Sequence, residues 1–119
     1  MTEATSHVLI VDDSLTQRIL LESLLKKAGY RIKLAHDGRE ALTAVRTEPP
    51  DLIVTDLDMP EMDGLELVRA VKVEFPKLPV VLATAMGSES IAAEALRFGA
   101  SSYVPKTSLN DRSEEHTSE

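Results

Sequence analysis

The sequence predicts an α/β domain in which five short parallel strands form a doubly wound open sheet with helices on both faces. Two observations support this prediction. Short, apolar, β-branched runs alternate along the chain with amphipathic stretches. Each stretch between two strands is also long enough, at roughly a dozen residues, to return the chain parallel to the strand before it. The length of 119 residues leaves room for one such domain.

The first strand and the first helix have clear signals. The run 8–11 is short, β-branched and apolar on both faces, as in a buried parallel strand. Ser14 is a good N-cap, and Gly29 stands where a helix often ends with a left-handed glycine. Between them, apolar side chains recur on one helical face. They are Leu20, Leu21, Leu24, Leu25 and Ala28.

The middle of the chain repeats this pattern twice. A weaker strand over 31–35 precedes a short second helix, which Pro49-Pro50 ends. The third strand, over 52–56, is strongly apolar and ends in an aspartate. After a loop, Gly64 leads into a third helix that ends before Pro76. The histidines His7 and His36 are expected at the surface.

The last third supplies a fourth strand over 79–83, a fourth helix between Ser88 and Gly99, and a fifth strand over 102–104. A fifth helix should then cover that edge of the sheet. After Leu109, however, the chain has no apolar residue. We therefore expect the fifth helix to be missing or replaced by a foreign tail.

Residues 112–119 have an unusual sequence, Arg-Ser-Glu-Glu-His-Thr-Ser-Glu. It matches one translated reading frame of a common sequencing-library adapter. We interpret this segment as non-native and exclude it from the fold prediction. The domain is then expected to span 7–111, and the natural protein to continue past Asp111.

Composition narrows the classes of function. The net charge of -7, from 13 basic and 20 acidic residues, argues against a nucleic-acid-binding face and against adsorption to anionic membranes. The absence of cysteine excludes disulfides and thiolate metal sites. No apolar run approaches the ~18–20 residues of a membrane span. The N-terminus has no signal-peptide pattern. We expect a cytoplasmic protein.

Polar residues follow the predicted strands at one edge of the sheet. Asp12 and Asp13 follow the first strand, Asp56 ends the third, Thr84 follows the fourth and Lys106 follows the fifth. The carboxyl ends of parallel strands are where sites gather in such sheets. Two carboxylates ~4 Å apart repel by ~4 kcal/mol at an effective dielectric constant of ~20. A cation that prefers oxygen ligands, Mg²⁺ or Mn²⁺, would relieve that repulsion. A phosphoryl group on Asp56 would fit between this metal, Thr84 and Lys106.

Over residues 7 to about 109, the chain resembles the receiver domain of bacterial two-component response regulators. The resemblance implies a CheY-like, flavodoxin-like sheet with the strand order 2-1-3-4-5. Each motif is weak alone, but together and in order they are specific. The motifs are Val11-Asp12-Asp13, the run 55–64, Thr84-Ala85, and Gly99-Ala100 followed by Tyr103 and Lys106.

The resemblance implies a phosphorelay function. Asp56 would be the phosphoacceptor that attacks a phosphohistidine on a sensor histidine kinase or phosphotransfer protein. Asp12, Asp13 and Asp56 would bind Mg²⁺ together with the backbone carbonyl of Asp58. The chain would then be a signalling domain and not an enzyme, apart from its own phosphorylation and dephosphorylation.

Three further roles follow from the same resemblance. Thr84 would be the switch hydroxyl that turns toward the phosphoryl group, and Lys106 its counter-charge. Tyr103 would change rotamer as Thr84 moves, and so alter the surface of the fourth helix and fifth strand. A homodimer through that surface is a further expectation. The family's usual Lys-Pro pair is Lys106-Thr107 here, so the loop around the lysine departs from the pattern.

Simpler interpretations of these residues stay open at this point. Asp12 and Asp13 could be acids favoured by a helix dipole. Thr84 could be a strand residue that only fills space, Tyr103 an ordinary half-buried strand residue, and Lys106 a solvated loop residue.

Other classes of protein also compete with this interpretation. The Asp56-Leu57-Asp58 run resembles the Asp-x-Asp of Mg²⁺-dependent phosphohydrolases of haloacid-dehalogenase type. There the motif follows the first strand, however, and not the third. A flavin-binding module would need a phosphate-cradling first loop, whereas this loop opens with two acids. A receiver-like scaffold that is never phosphorylated is the third alternative.

Overall fold

A computed structural model describes residues 6–57, 59, 62–84 and 89–105. Within these residues, strands and helices alternate strictly along the chain, as the sequence predicts. The elements are β1 (His7–Val11), α1 (Leu15–Lys27), β2 (Arg31–Ala35), α2 (Gly38–Thr47), β3 (Leu52–Asp56), α3 (Gly64–Glu74), β4 (Val80–Thr84), α4 (Glu89–Arg97) and β5 (Ser102–Pro105).

The five strands form one parallel sheet in the order β2-β1-β3-β4-β5. This order confirms the predicted fold class. β1 pairs with β2 on one side and with β3 on the other, so that Val8 lies opposite both Ile32 and Leu52. The same pairing aligns the carboxyl ends of β1 and β3, which positions the polar residues that follow them.

Each face of the sheet is covered by helices. Along β1, Leu9 and Val11 belong to the larger core cluster, which also contains buried residues of α2, α3 and α4. The alternate residues Val8 and Ile10 pack with Leu21 of α1 on the opposite face. This alternation follows from the pleat of a strand. All five residues of β1 are buried, which explains their unbroken apolar run after His7.

The helix ends follow the predicted capping residues. The Ser14 hydroxyl accepts a hydrogen bond from the Gln17 amide at 3.3 Å. Gly29 (φ 99°) ends α1 and Gly99 (φ 116°) follows α4. A left-handed backbone costs little only for glycine, so these two residues end their helices without strain. Ser88, the predicted cap of α4, lies outside the described residues.

Some details of the sequence prediction are wrong, including the place of Ala28, which is exposed although it was predicted on the buried face of α1. His7, expected at the surface, is only 6% exposed, because it begins β1, which lies between β2 and β3, and its amide donates to Asp51 Oδ2 at 2.7 Å. Leu24, predicted to face the core, is 37% exposed. The reason is that α1 packs against β1 and β2 at one side of an open sheet, and only a narrow strip around Leu21 is covered.

Residues 106–119 lie outside the described residues. The predictions of a foreign tail and of a missing fifth helix both fall in this segment. In the described part of the chain, none of the helices combines the length and apolarity needed to cross a membrane.

An ion pair joins α2 to α3 at the surface. Arg46 donates to Glu74 through Nε at 2.9 Å and through Nη2 at 2.5 Å, a two-pronged contact. The hydrogen bonds from Arg46 lower the pKa of the Glu74 carboxyl, and the same contact raises the pKa of Arg46. Because both side chains are exposed, solvent screening keeps the contribution of this pair to stability small.

We predict that this pair stabilises the fold at neutral pH and loses its effect in acid. A lowered carboxyl pKa contributes stability above the ordinary pKa of glutamate, and this contribution is lost as the pH falls through the lowered value. A double-mutant cycle of Glu74→Gln and Arg46→Gln, followed by thermal unfolding, should show a small coupling at pH 7 that disappears at low pH. A coupling that is independent of pH would contradict this expectation.

Candidate functional site

Three aspartates converge at the carboxyl edge of the sheet. Asp56 is the last residue of β3, while Asp12 and Asp13 directly follow β1. Since Val11 pairs with Thr55, the next residues along the two strands, Asp12 and Asp56, also lie side by side. One carboxylate oxygen from each of Asp12, Asp13 and Asp56 lies within 4.8 Å of the others. The structure thus brings together the three acids that the sequence singled out; their chemical roles stay predictions.

The three acids differ in burial. Asp12 is fully buried and Asp56 is 4% exposed, whereas Asp13 is exposed to solvent. Carboxylates are rarely buried this deeply unless other groups compensate their charge. Two buried acids and one at the mouth therefore form a small anionic site that opens toward solvent.

The backbone around Asp12 is held on several sides. The Asp12 amide donates to the carbonyl of Ala35 in β2 at 3.1 Å. Its Oδ1 accepts from the Ser14 amide at 2.9 Å, and its carbonyl accepts from Nη1 of Arg18 at 2.7 Å. These contacts tie the end of β1 to the first turn of α1, so the Asp12 carboxylate has little freedom to turn away from Asp56.

The donor set suits a hard divalent cation. The cluster offers only carboxylate oxygens, which Mg²⁺ and Mn²⁺ prefer, and neither histidine nor cysteine contributes to it. At the distances observed, mutual repulsion of the acids is on the order of a few kcal/mol. A cation bound among them would remove that repulsion, which makes these residues fit a metal site.

The other predicted site residues are described to different extents. Thr84 ends β4, the neighbour of β3, one residue after Ala83, which pairs with Asp56. Its backbone therefore lies at the same edge of the sheet. Tyr103 pairs with Leu82 in β4 and is half-buried against the larger core cluster. Asp58 and Lys106 lie outside the described residues.

Sequence reasoning missed three residues that support the site. Arg18 reaches the Asp12 carbonyl from one turn into α1. The Thr55 hydroxyl donates to the Asp56 carbonyl at 3.0 Å, and Gly64 lies against that same carbonyl. The contacts of Arg18 and Gly64 depend on how α1 and α3 pack back against the sheet, so no local pattern predicts them.

Comparisons with known proteins agree with this geometry. A family model described as "Response regulator receiver domain" matches residues 8–116. The transcriptional regulatory protein ZraR of Escherichia coli K12 is 40% identical over 106 residues, which cover 89% of this chain and 24% of ZraR. This chain therefore spans about a quarter of the length of that relative.

Solved structures show the same fold. The receiver domain of NtrX from Brucella abortus matches with a TM-score of 0.81 and 30% identity, covering 91% of this chain and 95% of that one. The chemotaxis protein CheY4 of Vibrio cholerae matches with a TM-score of 0.82 and 31% identity, covering 95% of this chain and 98% of its own.

We predict that the acid cluster destabilises the metal-free protein. Asp13→Asn removes one charge from the mouth of the cluster, and without divalent cations it should raise the free energy of unfolding by up to about 1 kcal/mol. Excess Mg²⁺ should reverse the order, because it stabilises the wild type more than the variant. Thermal unfolding with a chelator and with Mg²⁺ measures both effects.

The matched control is Glu94→Gln, which removes one exposed negative charge from α4. It should leave the response to Mg²⁺ unchanged. An equal Mg²⁺ response in the wild type and Asp13→Asn would count against a metal site at Asp13.

Proposed function

The chain belongs to the response regulator receiver domain family, and on that premise we propose that it accepts a phosphoryl group on Asp56. The donor would be a phosphohistidine on a sensor histidine kinase or phosphotransfer protein. The observation that supports this proposal best is the position of Asp56, a buried carboxylate at the end of β3 beside Asp12 and Asp13. The signalling role is that of the family.

The proposed step is a substitution at phosphorus. An Asp56 carboxylate oxygen attacks the phosphorus atom, and an acyl phosphate bond forms. The N–P bond of the phosphohistidine breaks, its electron pair stays on the imidazole nitrogen, and that nitrogen then takes a proton from water.

Asp12, Asp13 and Asp56 would hold the divalent cation, with the Asp58 carbonyl as the further ligand that the family resemblance implies. When bound, Mg²⁺ or Mn²⁺ would supply charge neutralisation for the phosphoryl oxygens. The residues of this chain orient and shield the reacting groups. The contacts around Asp12 fix the orientation of its carboxylate, and burial of Asp56 excludes water from the attacking group.

The switch would use Thr84, Lys106 and Tyr103. Thr84 ends the strand next to Asp56, which supports a hydroxyl that turns toward a phosphoryl group. Lys106 would be the counter-charge of that group. Tyr103 is half-buried one strand farther along, so it could exchange between two rotamers, and this would transmit the change to the surface of α4 and β5.

We propose that the surface of α4 and β5 transmits the signal to a partner. Ile91 and Leu96 of α4 are 45% and 40% exposed, so this helix offers apolar side chains that a partner could cover. We propose that phosphorylation alters contacts at this surface, including those of a homodimer. A cytoplasmic location stays part of this proposal, as does the absence of direct nucleic-acid binding by this domain.

Neither competing chemistry gains support from the comparisons. The haloacid-dehalogenase alternative requires repeated hydrolysis of phosphoesters, whereas a receiver is labelled once per chain. The flavin-binding alternative requires a phosphate cradle where this chain has Asp12 and Asp13.

We predict that acetyl phosphate with Mg²⁺ labels the 119-residue chain once and that Asp56→Asn abolishes the label. The reason is that the amide cannot form an acyl phosphate. Intact-mass spectrometry and acid–base stability of the label measure the result. Asp51→Asn, the same change just before β3, is the matched control; its amide oxygen can still accept from the His7 amide, and the variant should retain the label.

Label retained in Asp56→Asn would refute Asp56 as the acceptor. Continuous release of phosphate from a generic phosphomonoester would instead favour the phosphohydrolase.

A further inference from the structure

The peptide that joins Asp56 to Leu57 is held at both of its polar groups. The Leu57 amide donates to the Ala83 carbonyl in β4 at 3.2 Å. The Asp56 carbonyl accepts from the Thr55 hydroxyl at 3.0 Å, in a fully buried position. The peptide plane at the end of β3 therefore has a fixed orientation, and the Asp56 side chain leaves the backbone beside it.

Gly64 lies directly against the same peptide. Its amide donates to the Leu57 carbonyl at 2.8 Å, so the chain closes on itself between the end of β3 and the start of α3. A Cβ atom at position 64 would lie 2.5 Å from the Asp56 carbonyl oxygen and 2.8 Å from Leu57 Cα. Real Cβ contacts essentially never fall below 3.0 Å. Because both atoms belong to the backbone, no side-chain rotation could relieve the clash.

The start of α3 is itself anchored, so it cannot move away easily. The Asp63 and Glu66 side chains form a capping box, with hydrogen bonds of 2.9 Å and 3.1 Å to each other's amides. Leu67 and Val68 in the next turn are fully buried. A methyl group added at Gly64 would therefore press directly on the Asp56–Leu57 peptide.

We infer that Thr55 and Gly64 are positioning residues for the phosphoacceptor, an inference that rests on the proposed function of Asp56. The Thr55 hydroxyl donates to the Asp56 carbonyl oxygen, and the lack of a side chain at Gly64 leaves room for the same oxygen. Together they set the direction in which the Asp56 carboxylate faces Asp12 and Asp13. Neither residue touches the phosphoryl group; both act through the Asp56 backbone.

A shift of the Asp56 backbone is expected to slow the proposed reaction. A displacement of ~1 Å in a reacting group can lower a rate ~10²-fold. Gly64→Ala is expected to lower the maximum rate constant of labelling by acetyl phosphate about 100-fold. Thr55→Val keeps the shape of the side chain and removes only the hydroxyl; it should lower the same rate constant by about tenfold.

Two matched controls separate positioning from loss of stability. Gly29→Ala adds the same methyl group at a glycine with positive φ and open space around it, far from the acids. Thr47→Val removes a hydroxyl that donates to the Thr43 carbonyl at 2.8 Å in α2. Both controls should label at the wild-type rate. Thr55→Ser restores the hydroxyl and should return the rate constant to within about twofold of the wild type.

The measurement is the labelling rate at saturating Mg²⁺ as a function of acetyl phosphate concentration, with a thermal unfolding curve for every variant. We expect the maximum rate constant to fall in Thr55→Val and Gly64→Ala, beyond any change explained by the unfolded fraction. A wild-type rate constant in Thr55→Val would overturn the inference. This test holds even if Gly64→Ala does not fold. A loss in Thr55→Val that Thr55→Ser does not reverse would overturn it too.

The outcomes also distinguish this inference from the proposed function. If the wild type is labelled and Asp56→Asn is not, the proposed function holds. In that case, a wild-type rate constant in Thr55→Val refutes only the positioning role of Thr55 and Gly64. If the wild type takes no label, or Asp56→Asn keeps it, both are refuted together.

Discussion

The parallel pairing of β1 with β3 is the constraint on which the site depends. Val11 lies opposite Thr55, so the residues that follow, Asp12 and Asp56, emerge side by side at one edge of the sheet. A shift of one residue in this register would turn one of the two carboxylates to the opposite face of the sheet. Buried apolar side chains on both faces of β1 and β3 fix the register, and thereby the distance between the acids.

The site stores unfavourable electrostatic energy that the rest of the fold must offset. Two of the three acids are buried, and their charges repel. Contacts from Arg18, Ser14 and Thr55 reach the backbone or carboxylate of these residues and hold them in place. Strained or destabilised groups supported in this way are typical of functional sites. The net charge of -7 therefore has a local meaning, because three of the acids share one small volume.

Gly38 and Gly64, which begin α2 and α3, are needed for a different reason from Gly29 and Gly99, which follow α1 and α4. Gly29 and Gly99 are needed for their positive φ angles, which is a local requirement. Gly38 and Gly64 have no positive φ angle. A Cβ atom at Gly38 would lie less than 3.0 Å from Met62, and one at Gly64 would lie less than 3.0 Å from the backbone of Asp56 and Leu57. They allow this connection to pack closely against α2 and back against the end of β3. Glycine is therefore required at positions 38 and 64 by close packing and not by an unusual backbone angle.

The sequence by itself determined the elements and their order along the chain. Periodicity, Ser14 and the two left-handed glycines mark where helices begin and end, because these signals act within a few residues. Strand order came from resemblance and not from any pattern, since local patterns do not say which strands pair. Only the tertiary structure decided that His7 is buried, that Leu24 is exposed, and that Thr55 and Gly64 meet at the Asp56 carbonyl. These outcomes depend on how the helices and strands pack against one another, which signals that act within a few residues do not specify.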